Sequence, residues 1–320
     1  MLKLGICEVS QGMNGQQFWR RGLTAANLLA ELTVGDGDAL FERILRETSV
    51  IDGVARTTAR CRFAALDEEV QKCLISVFPS GSQIDVEDWA VSSGITSAEW
   101  FKRLRVDYPA VQFTASDWAL YLIEVRREGY REIFIVTTHG TPVQYISPPF
   151  VVSLVEPQHW FWLANRVVQL RALRKWRSLA AEFRIPERWN GLKWESGWMD
   201  ASPFRLRQLS MLHPEVKQLC GTQFRVKRHS VSTPLATQVD AIRTMNILNR
   251  AYFSDEDLKR AAACVHYSLK RGGVWIVGRT VCERSLRSEA TVLQKLEEGW
   301  KRLLRIGPGS EMELLVHFNQ

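Results

Sequence analysis

Short apolar runs that are typical of strands alternate along this chain with stripes of apolar residues at helical spacing. A helix is predicted between neighbouring runs, for example over about 96–105 after the first run. Strands that alternate with helices predict an α/β fold, in which a mostly parallel sheet carries helices on both faces. Ligands of such sheets bind at the carboxyl ends of the strands, so candidate site residues are sought there. The predicted core strands are 84–91, 111–115, 224–231, 239–245 and 274–278.

The chain is predicted to contain a helical cap followed by the α/β domain. Residues 1–80 form the cap, with apolar stripes over 18–32 and 39–49 and a further helix over AALDEEVQKCLISVF. Residues 81–320 form the α/β domain, with an inserted segment at about 130–222. The last apolar segment, ATVLQKLEEGWKRLLRIG, fits either one helix or two strands. Its β-branched start and the glycine at its centre favour an antiparallel hairpin that closes the sheet.

The inserted segment is rich in tryptophan and arginine. It begins with a predicted hairpin, Ile133–Thr137 and Val143–Ile146, and continues as an apolar lead and an amphipathic helix. Such a mixture of aromatic and basic residues is suited to binding a lipid headgroup, a sugar ring or a membrane surface. It is equally consistent with a helix that packs on the sheet and exposes a basic face to solvent. This mixture of aromatic and basic residues consists of Trp160, Trp162, Arg166, Arg171, Arg174, Lys175, Trp176 and Arg177. A second aromatic group, Trp189, Trp194 and Trp198, is compatible with a carbohydrate or aromatic acceptor.

Composition narrows the function only slightly. At 320 residues and 46% hydrophobic content, the chain can bury a full α/β core with room for a second small domain. The net charge of +7 fits an enzyme with a modestly basic surface or attraction to an anionic partner. The six cysteines show no C-x-x-C pair or zinc-ligand spacing, so we expect a reducing cytoplasm and no metal site. We also expect neither a signal peptide nor a membrane-spanning helix.

The most informative stretch is VDAIRTMNILNRAYFSDEDLKRAAACVHYSLKRGGVWIVGRT, residues 239–280. A buried-type strand ends at Asn246, an acid-led helix follows, and a Lys-Arg-Gly-Gly turn leads into a second strand. This βαβ order resembles the back half of class I S-adenosylmethionine-dependent methyltransferases, especially the chemotaxis-receptor type. The resemblance implies a Rossmann-like methyltransferase fold with S-adenosyl-L-methionine as cofactor. It also implies that Asn246 contacts the methionine end of the cofactor or positions the acceptor. A helix cap is the alternative for this residue.

The turn after the first strand resembles the methyltransferase signature of an acid, one spacer and Gly-x-Gly-x-Gly. Carried over, Asp88 matches the acid, and Ala90, Ser92 and Gly94 match the three glycines, so the motif is degenerate. Small residues permit the close backbone approach that a bound cofactor needs. An ordinary tight turn between strand and helix is the alternative. Asp85 and Glu87, by contrast, are unusual in a strand that should be buried on both faces.

Three further candidates follow the second and third strands. The resemblance implies that Asp117 accepts hydrogen bonds from ribose hydroxyls, a role that suits a carboxylate, with helix capping as the alternative. Trp118 is the candidate adenine platform, with a core aromatic as the alternative. His229 ends a basic triplet where related families place Asp or Asn. It is a candidate general base or phosphate contact, and a solvated strand end is the alternative.

The leading hypothesis is an S-adenosylmethionine-dependent methyltransferase that acts on a small-molecule, glycan or lipid-linked acceptor. A hydroxyl acceptor needs a base, for which His229, His139 and His159 are candidates, whereas a carboxylate needs none. The alternative is a catalytically degenerate methyltransferase-like protein that serves binding or assembly. Nucleic acid is disfavoured as a partner, because the basic residues of the insert are interleaved with apolar ones at helical spacing. Peripheral membrane contact stays open. Motifs of hydrolases, metalloproteases, NTPases and dinucleotide reductases are absent from the sequence.

Overall fold

A computed structural model describes residues 3–4, 41–42, 44–45, 58–147, 150–155, 163–185, 189, 194, 197–282 and 287–318. The helices are α1 (Ala64–Val77), α2 (Ile95–Asp107), α3 (Leu163–Phe183), α4 (Pro214–Leu219) and α5 (Asp255–Ser268). The strands up to the middle of the chain are β1 (Lys3–Leu4), β2 (Asp85–Trp89), β3 (Gln112–Asp117), β4 (Tyr121–Arg127), β5 (Ile133–Thr137), β6 (Pro142–Ser147) and β7 (Phe150–Ser153). The later strands are β8 (Trp198–Ala201), β9 (Phe204–Ser210), β10 (Phe224–Arg228), β11 (Val239–Met245), β12 (Leu269–Cys282), β13 (Arg287–Lys295) and β14 (Trp300–Ile306).

Two compact units divide the chain, and they differ from the predicted domains. One unit contains residues 1–57 and 119–212, and the other contains 58–118 and 213–320. The cap at 1–80 and the insert at about 130–222 stay predictions, and the two compact units have other limits. The chain leaves β3 at Asp117 and enters β4 at Tyr121 without an intervening helix. This direct strand-to-strand passage is why the first unit resumes at residue 119, before the start of the predicted insert.

The second unit contains the predicted α/β sheet. Its strand order is β10-β3-β2-β11-β12-β13-β14, with the first five parallel and the last two joined as an antiparallel hairpin. This order confirms a Rossmann-like, doubly wound sheet and the predicted closing hairpin. β12 is longer than the predicted strand 274–278. The helices α2 and α5 pack on opposite faces, since α2 contacts Phe113 and α5 packs beside Ile242 and Trp275.

Ion pairs accommodate Asp85 and Glu87 in the strand β2. Glu87 is buried and pairs with Lys227 at 2.5 Å, while Asp85 pairs with Lys270 at 3.0 Å. The connection between β10 and β11, residues 229–238, contains no helix. Burial raises the pKa of Glu87, and Lys227 opposes that rise.

The first unit is built on a separate antiparallel sheet of order β1-β7-β6-β5-β4-β9-β8. The predicted hairpin is confirmed as β5 and β6, and the apolar lead contributes the strand β7 before the helix α3. Trp176 and Trp189 are buried in the core beneath α3, beside Phe134, so they act as packing residues. Trp160, Trp162 and His159 lie outside the described residues, as do most of the apolar stripes predicted over 18–49. No described helix is long and apolar enough to cross a bilayer.

Candidate functional site

The carboxyl ends of three strands lie side by side in the second unit. β2 lies between β3 and β11, with Trp89 aligned with Ser116 on one side and Thr244 on the other. The residues that follow these positions therefore meet at one edge of the sheet. They include the turn 90–94, Asp117 and Asn246. The topology thus brings together the predicted cofactor residues of the first, second and fourth core strands, as the switch-point rule requires.

The turn between β2 and α2 has a backbone conformation that usually calls for glycine. Ala90 has φ 60°, Ser92 has φ 58° and Gly94 has φ 77°, so all three motif positions are left-handed. A side chain in this region costs about 1–2 kcal/mol per residue. Asn246, at the end of β11, is left-handed as well, with φ 62°. Left-handed residues of this kind cluster at functional sites, where surrounding contacts hold them in place.

Hydrogen bonds to the neighbouring strand hold this turn. The Ser92 N–H donates to the Asp117 carboxylate at 2.8 Å, and the Val91 N–H donates to the Ser116 carbonyl at 3.2 Å. The φ of 77° at Gly94 favours glycine, and a Cβ there would also make tight contacts of 3.2 Å with both methyl groups of Val216. The turn is therefore fixed by β3 and α4 as well as by its own sequence.

Asp117 and Trp118 occupy a strand end with no helix after it. Asp117 is buried, and its carbonyl accepts the His229 N–H at 3.1 Å. The helix-cap alternative for Asp117 is wrong, because the strand β4 follows. Trp118 is 47% exposed, so the core-aromatic alternative is also wrong. The Arg228 guanidinium lies 4.2 Å from the centroid of the Trp118 ring and donates to the Trp118 carbonyl.

Asn246 links the tips of β11 and β12. Its side-chain oxygen accepts the Thr280 N–H at 2.6 Å, and its own N–H donates to the Gly278 carbonyl at 2.8 Å. The helix-cap alternative is wrong for this residue too, because Ser254 is the N-cap of α5. The contacts fix the side-chain oxygen of Asn246 and use none of the donors of its amide NH₂ group. A ligand role for that group stays a prediction.

Asp88 is held in a buried ion cluster beneath the turn. Its carboxylate accepts from Arg243 at 2.6 and 3.0 Å and from the Ser97 hydroxyl at 2.6 Å, and Arg243 also donates to Asp67 at 2.8 Å. Despite full burial, the two carboxylates raise the pKa of Arg243 above its usual range. Burial raises the pKa of Asp67 to about 6 against the attraction of Arg243. A cofactor contact by Asp88 stays a prediction, and it would compete with Arg243.

His229 lies half-buried at the end of β10. Its ring centroid is 4.6 Å from that of Trp89, and its Nε2 is buried with no hydrogen-bond partner among the described residues. Burial, followed by repulsion from Lys227, lowers the pKa of His229 to about 4, so the imidazole is neutral near pH 7. The buried Nε2 argues against a fully solvated strand end. Its role as base or contact stays a prediction.

Sequence reasoning missed Arg243, which organises the floor of this site. Besides its ion pairs, its guanidinium lies 4.2 Å from the Trp100 ring centroid and donates to the Thr96 carbonyl. The signal was available, since an arginine inside a strand buried on both faces must find charged partners. The sequence did not show which acids pair with Arg243, because Asp67 lies 176 residues away along the chain.

Comparisons with known proteins add structural similarities at low identity. No family model matches this sequence, and no curated protein matches it. The chain is similar to the solved structure of CalS10, an amino pentose methyltransferase from Micromonospora echinaspora with SAM bound, at 12% identity and TM-score 0.29 over 74% of this chain and 65% of that one. It is also similar to PKMT2 from Rickettsia typhi in complex with AdoHcy, at 10% identity and TM-score 0.24, over 61% of this chain and 20% of that one.

A third similarity is to the N-methyltransferase NodS from Bradyrhizobium japonicum WM9, at 7% identity and TM-score 0.29 over 68% of each chain. This chain spans less than two thirds of the length of CalS10 and of PKMT2. Because all three TM-scores lie below 0.5, the function proposed next rests on the strand-end geometry of this chain.

Proposed function

We propose that this protein binds S-adenosylmethionine at the ends of β2, β3 and β11 and transfers its methyl group to a small-molecule, glycan or lipid-linked acceptor. One observation carries the proposal. The three positions that match the glycines of the signature, Ala90, Ser92 and Gly94, are all left-handed, although two of them are not glycine. A tight turn without a ligand role has no need of three left-handed positions in alternation, two of them strained, whereas a backbone that closely approaches a ligand does.

Each candidate residue has a role in this proposal that its position supports. The backbone of the turn 90–94 would hold the methionine part of the cofactor, with Asn246 on the opposite side. Asp117 would accept the ribose hydroxyls, since a carboxylate suits a cis-diol. Trp118 has an exposed ring that would pack on adenine. Among the described residues, the Ser92 hydroxyl and His229 Nε2 are buried polar atoms without a hydrogen-bond partner, at the carboxyl ends of β2 and β10, and a bound ligand would supply one.

For methyl transfer, the protein mainly has to orient the two reactants. The bound cofactor supplies a sulfonium methyl group, which an acceptor takes by in-line displacement. The residues of this chain hold the two reactants in line and exclude water. A carboxylate acceptor requires no proton transfer, whereas a hydroxyl acceptor must give its proton to a base. The lowered pKa of His229 makes it a weaker base than ordinary imidazole, so it is better suited to a ligand contact.

Titration calorimetry with S-adenosylhomocysteine tests the binding half of this proposal. We expect wild type to bind and Asp117→Ala to bind about 10–150-fold more weakly, the range for losing a hydrogen bond to a charged group. Glu297→Ala is the matched control, because Glu297 is exposed on the β13–β14 hairpin and, within the part of the chain that the structure describes, pairs with Arg271 alone. The control should bind as wild type does. Absence of heat with wild type, or equal affinity for Asp117→Ala, would refute the assignment.

Binding without transfer is a second candidate function, favoured by the state of Asp88. Both its oxygens are already bonded inside the protein, and the turn carries two side chains where the signature has none. A protein of this kind would bind the nucleoside and serve assembly. Incubation with isotopically methyl-labelled cofactor and a panel of small-molecule, glycan and lipid-linked acceptors separates the two functions. Label transferred to an acceptor supports the enzyme, and tight binding with no transfer supports the second candidate.

A further inference from the structure

A group of three arginines surrounds one tryptophan on the antiparallel sheet of the first unit. The guanidinium carbons of Arg207, Arg126 and Arg205 lie 4.6, 4.9 and 5.4 Å from the ring centroid of Trp198. We call these four residues the Arg–Trp cluster. All lie within the first unit, and none takes part in the candidate methyl-transfer site described above.

Strand register brings the cluster together. Trp198 on β8 is aligned with Arg207 on β9, and Arg207 is aligned with Glu124 on β4. Arg205 is likewise aligned with Arg126. Because side chains alternate between the faces of a strand, residues two apart share a face, so all five side chains emerge on the same face of the sheet. Cation–π attraction between each guanidinium and the indole then favours their convergence.

Glu124 fixes two of the arginines in place. It is fully buried, and its carboxylate oxygens accept from Arg126 Nε at 2.8 Å and from Arg207 Nε at 3.0 Å. A buried carboxylate is costly unless it is paired, so these guanidiniums are held firmly. Among the described carboxylates, Arg205 pairs with Asp200 alone, at 3.2 Å, and the Asp200 side chain is 79% exposed. An exposed pair of this kind contributes little and separates easily.

The Arg–Trp cluster carries more positive charge than the carboxylates that pair with it can neutralise. Three arginines face two carboxylates, and the side chains of Arg126 and Arg205 are 46% and 51% exposed. Within the described residues, Nη1 of Arg126, Nη1 of Arg207 and both terminal nitrogens of Arg205 donate to no protein acceptor. Guanidinium groups prefer phosphate and carboxylate oxygens, which they contact through paired N–H donors. Trp198 is partly exposed, so its indole offers a flat surface for a ring beside the guanidiniums that already contact it.

We propose that the Arg–Trp cluster binds a phosphate ester whose phosphate contacts the arginines while its ring packs on Trp198. Glu124 orients Arg126 and Arg207 before the ligand arrives, so little ordering is needed on binding. Arg205 exchanges the exposed carboxylate of Asp200 for the phosphate. The site is independent of methyl transfer, and it would persist if no S-adenosylmethionine bound to the second unit.

Phenyl phosphate is the probe, with phenol and inorganic phosphate as its two halves, all titrated calorimetrically into the full chain. We expect phenyl phosphate to bind more tightly than either half. Arg205→Gln should weaken its binding about tenfold, since a charge-assisted hydrogen bond is lost while Glu124 keeps its two partners. Trp198→Leu should reduce the affinity for phenyl phosphate towards that for inorganic phosphate. Arg260→Gln, on the exposed surface of α5, is the matched control and should bind as wild type does.

Thermal unfolding of each variant shows whether it is folded, and Arg205→Gln should melt with wild type because its side chain is half exposed. Binding of phenol as tight as that of phenyl phosphate would overturn the oxyanion role. Equal binding of inorganic phosphate and phenyl phosphate would overturn the role of Trp198. Lack of binding by wild type, or equal affinity for wild type and Arg205→Gln, would overturn the site altogether.

Discussion

Replacing Arg243 by methionine tests the importance of the buried ion cluster beneath the candidate site. Arg243 is 1% exposed, donates to Asp67 and Asp88, and packs against Trp100. Methionine keeps much of the side-chain volume but leaves two carboxylates without their cation. Breaking a buried pair by removing one partner costs about 3–5 kcal/mol. For a unit of this size, each kcal/mol shifts the melting temperature by about 2–4 °C, so we expect a loss of about 6–20 °C.

Thermal unfolding followed by circular dichroism measures this loss, and a triple variant identifies its cause. Arg243→Met combined with Asp67→Asn and Asp88→Asn removes all the charges of the cluster together. Because the triple variant leaves no uncompensated charge in the core, it should recover part of the melting temperature that Arg243→Met loses. Arg260→Met is the control, because Arg260 is exposed. A melting temperature for Arg243→Met within about 2 °C of wild type would refute the reasoning.

Two further predictions concern pH and backbone strain. Burial raises the pKa of Asp67 from 3.8 to about 6. Between these pH values the folded state binds more protons than the unfolded state, so the free energy of unfolding falls as pH rises. Asp67→Asn should flatten that slope in urea titrations across the window, and an unchanged slope would contradict the assignment. Ala90→Gly and Ser92→Gly should each stabilise the protein by up to about 1 kcal/mol, because both positions are left-handed. Ala90→Val should destabilise it, and equal melting temperatures for Ala90→Gly and Ala90→Val would argue against strain.

The strand pattern was readable in the sequence because local periodicity reports local structure. The run at 239–245 has the same limits as β11, and the hairpin over ATVLQKLEEGWKRLLRIG forms as β13 and β14. Alternation of strands and helices also indicated a mostly parallel sheet. The division of the chain into two units was harder to predict from the sequence. The absence of a helix after β3 sends the chain directly into a second sheet, and no local pattern marks that event.

The candidate site was readable only in part. The resemblance to the methyltransferase signature selected positions 90, 92 and 94 as sites of close backbone approach, and the fold gives all three a left-handed conformation. Asp117 and Asn246 were selected as strand-end residues, and each lies at the predicted edge. The pairing of Asp88 with Arg243 was not predictable, because it joins residues 155 apart along the chain.

The sequence by itself determined where the strands of the parallel sheet, its helices and its tight turns form, since these depend on neighbours within a few residues. Tertiary structure alone decided which side chains meet. It placed Arg243 between Asp67 and Asp88, and it gathered Arg126, Arg205 and Arg207 around Trp198. The physical reason is that ion pairing and cation–π contact depend on distance in space, and strand register sets that distance between residues that the chain keeps far apart.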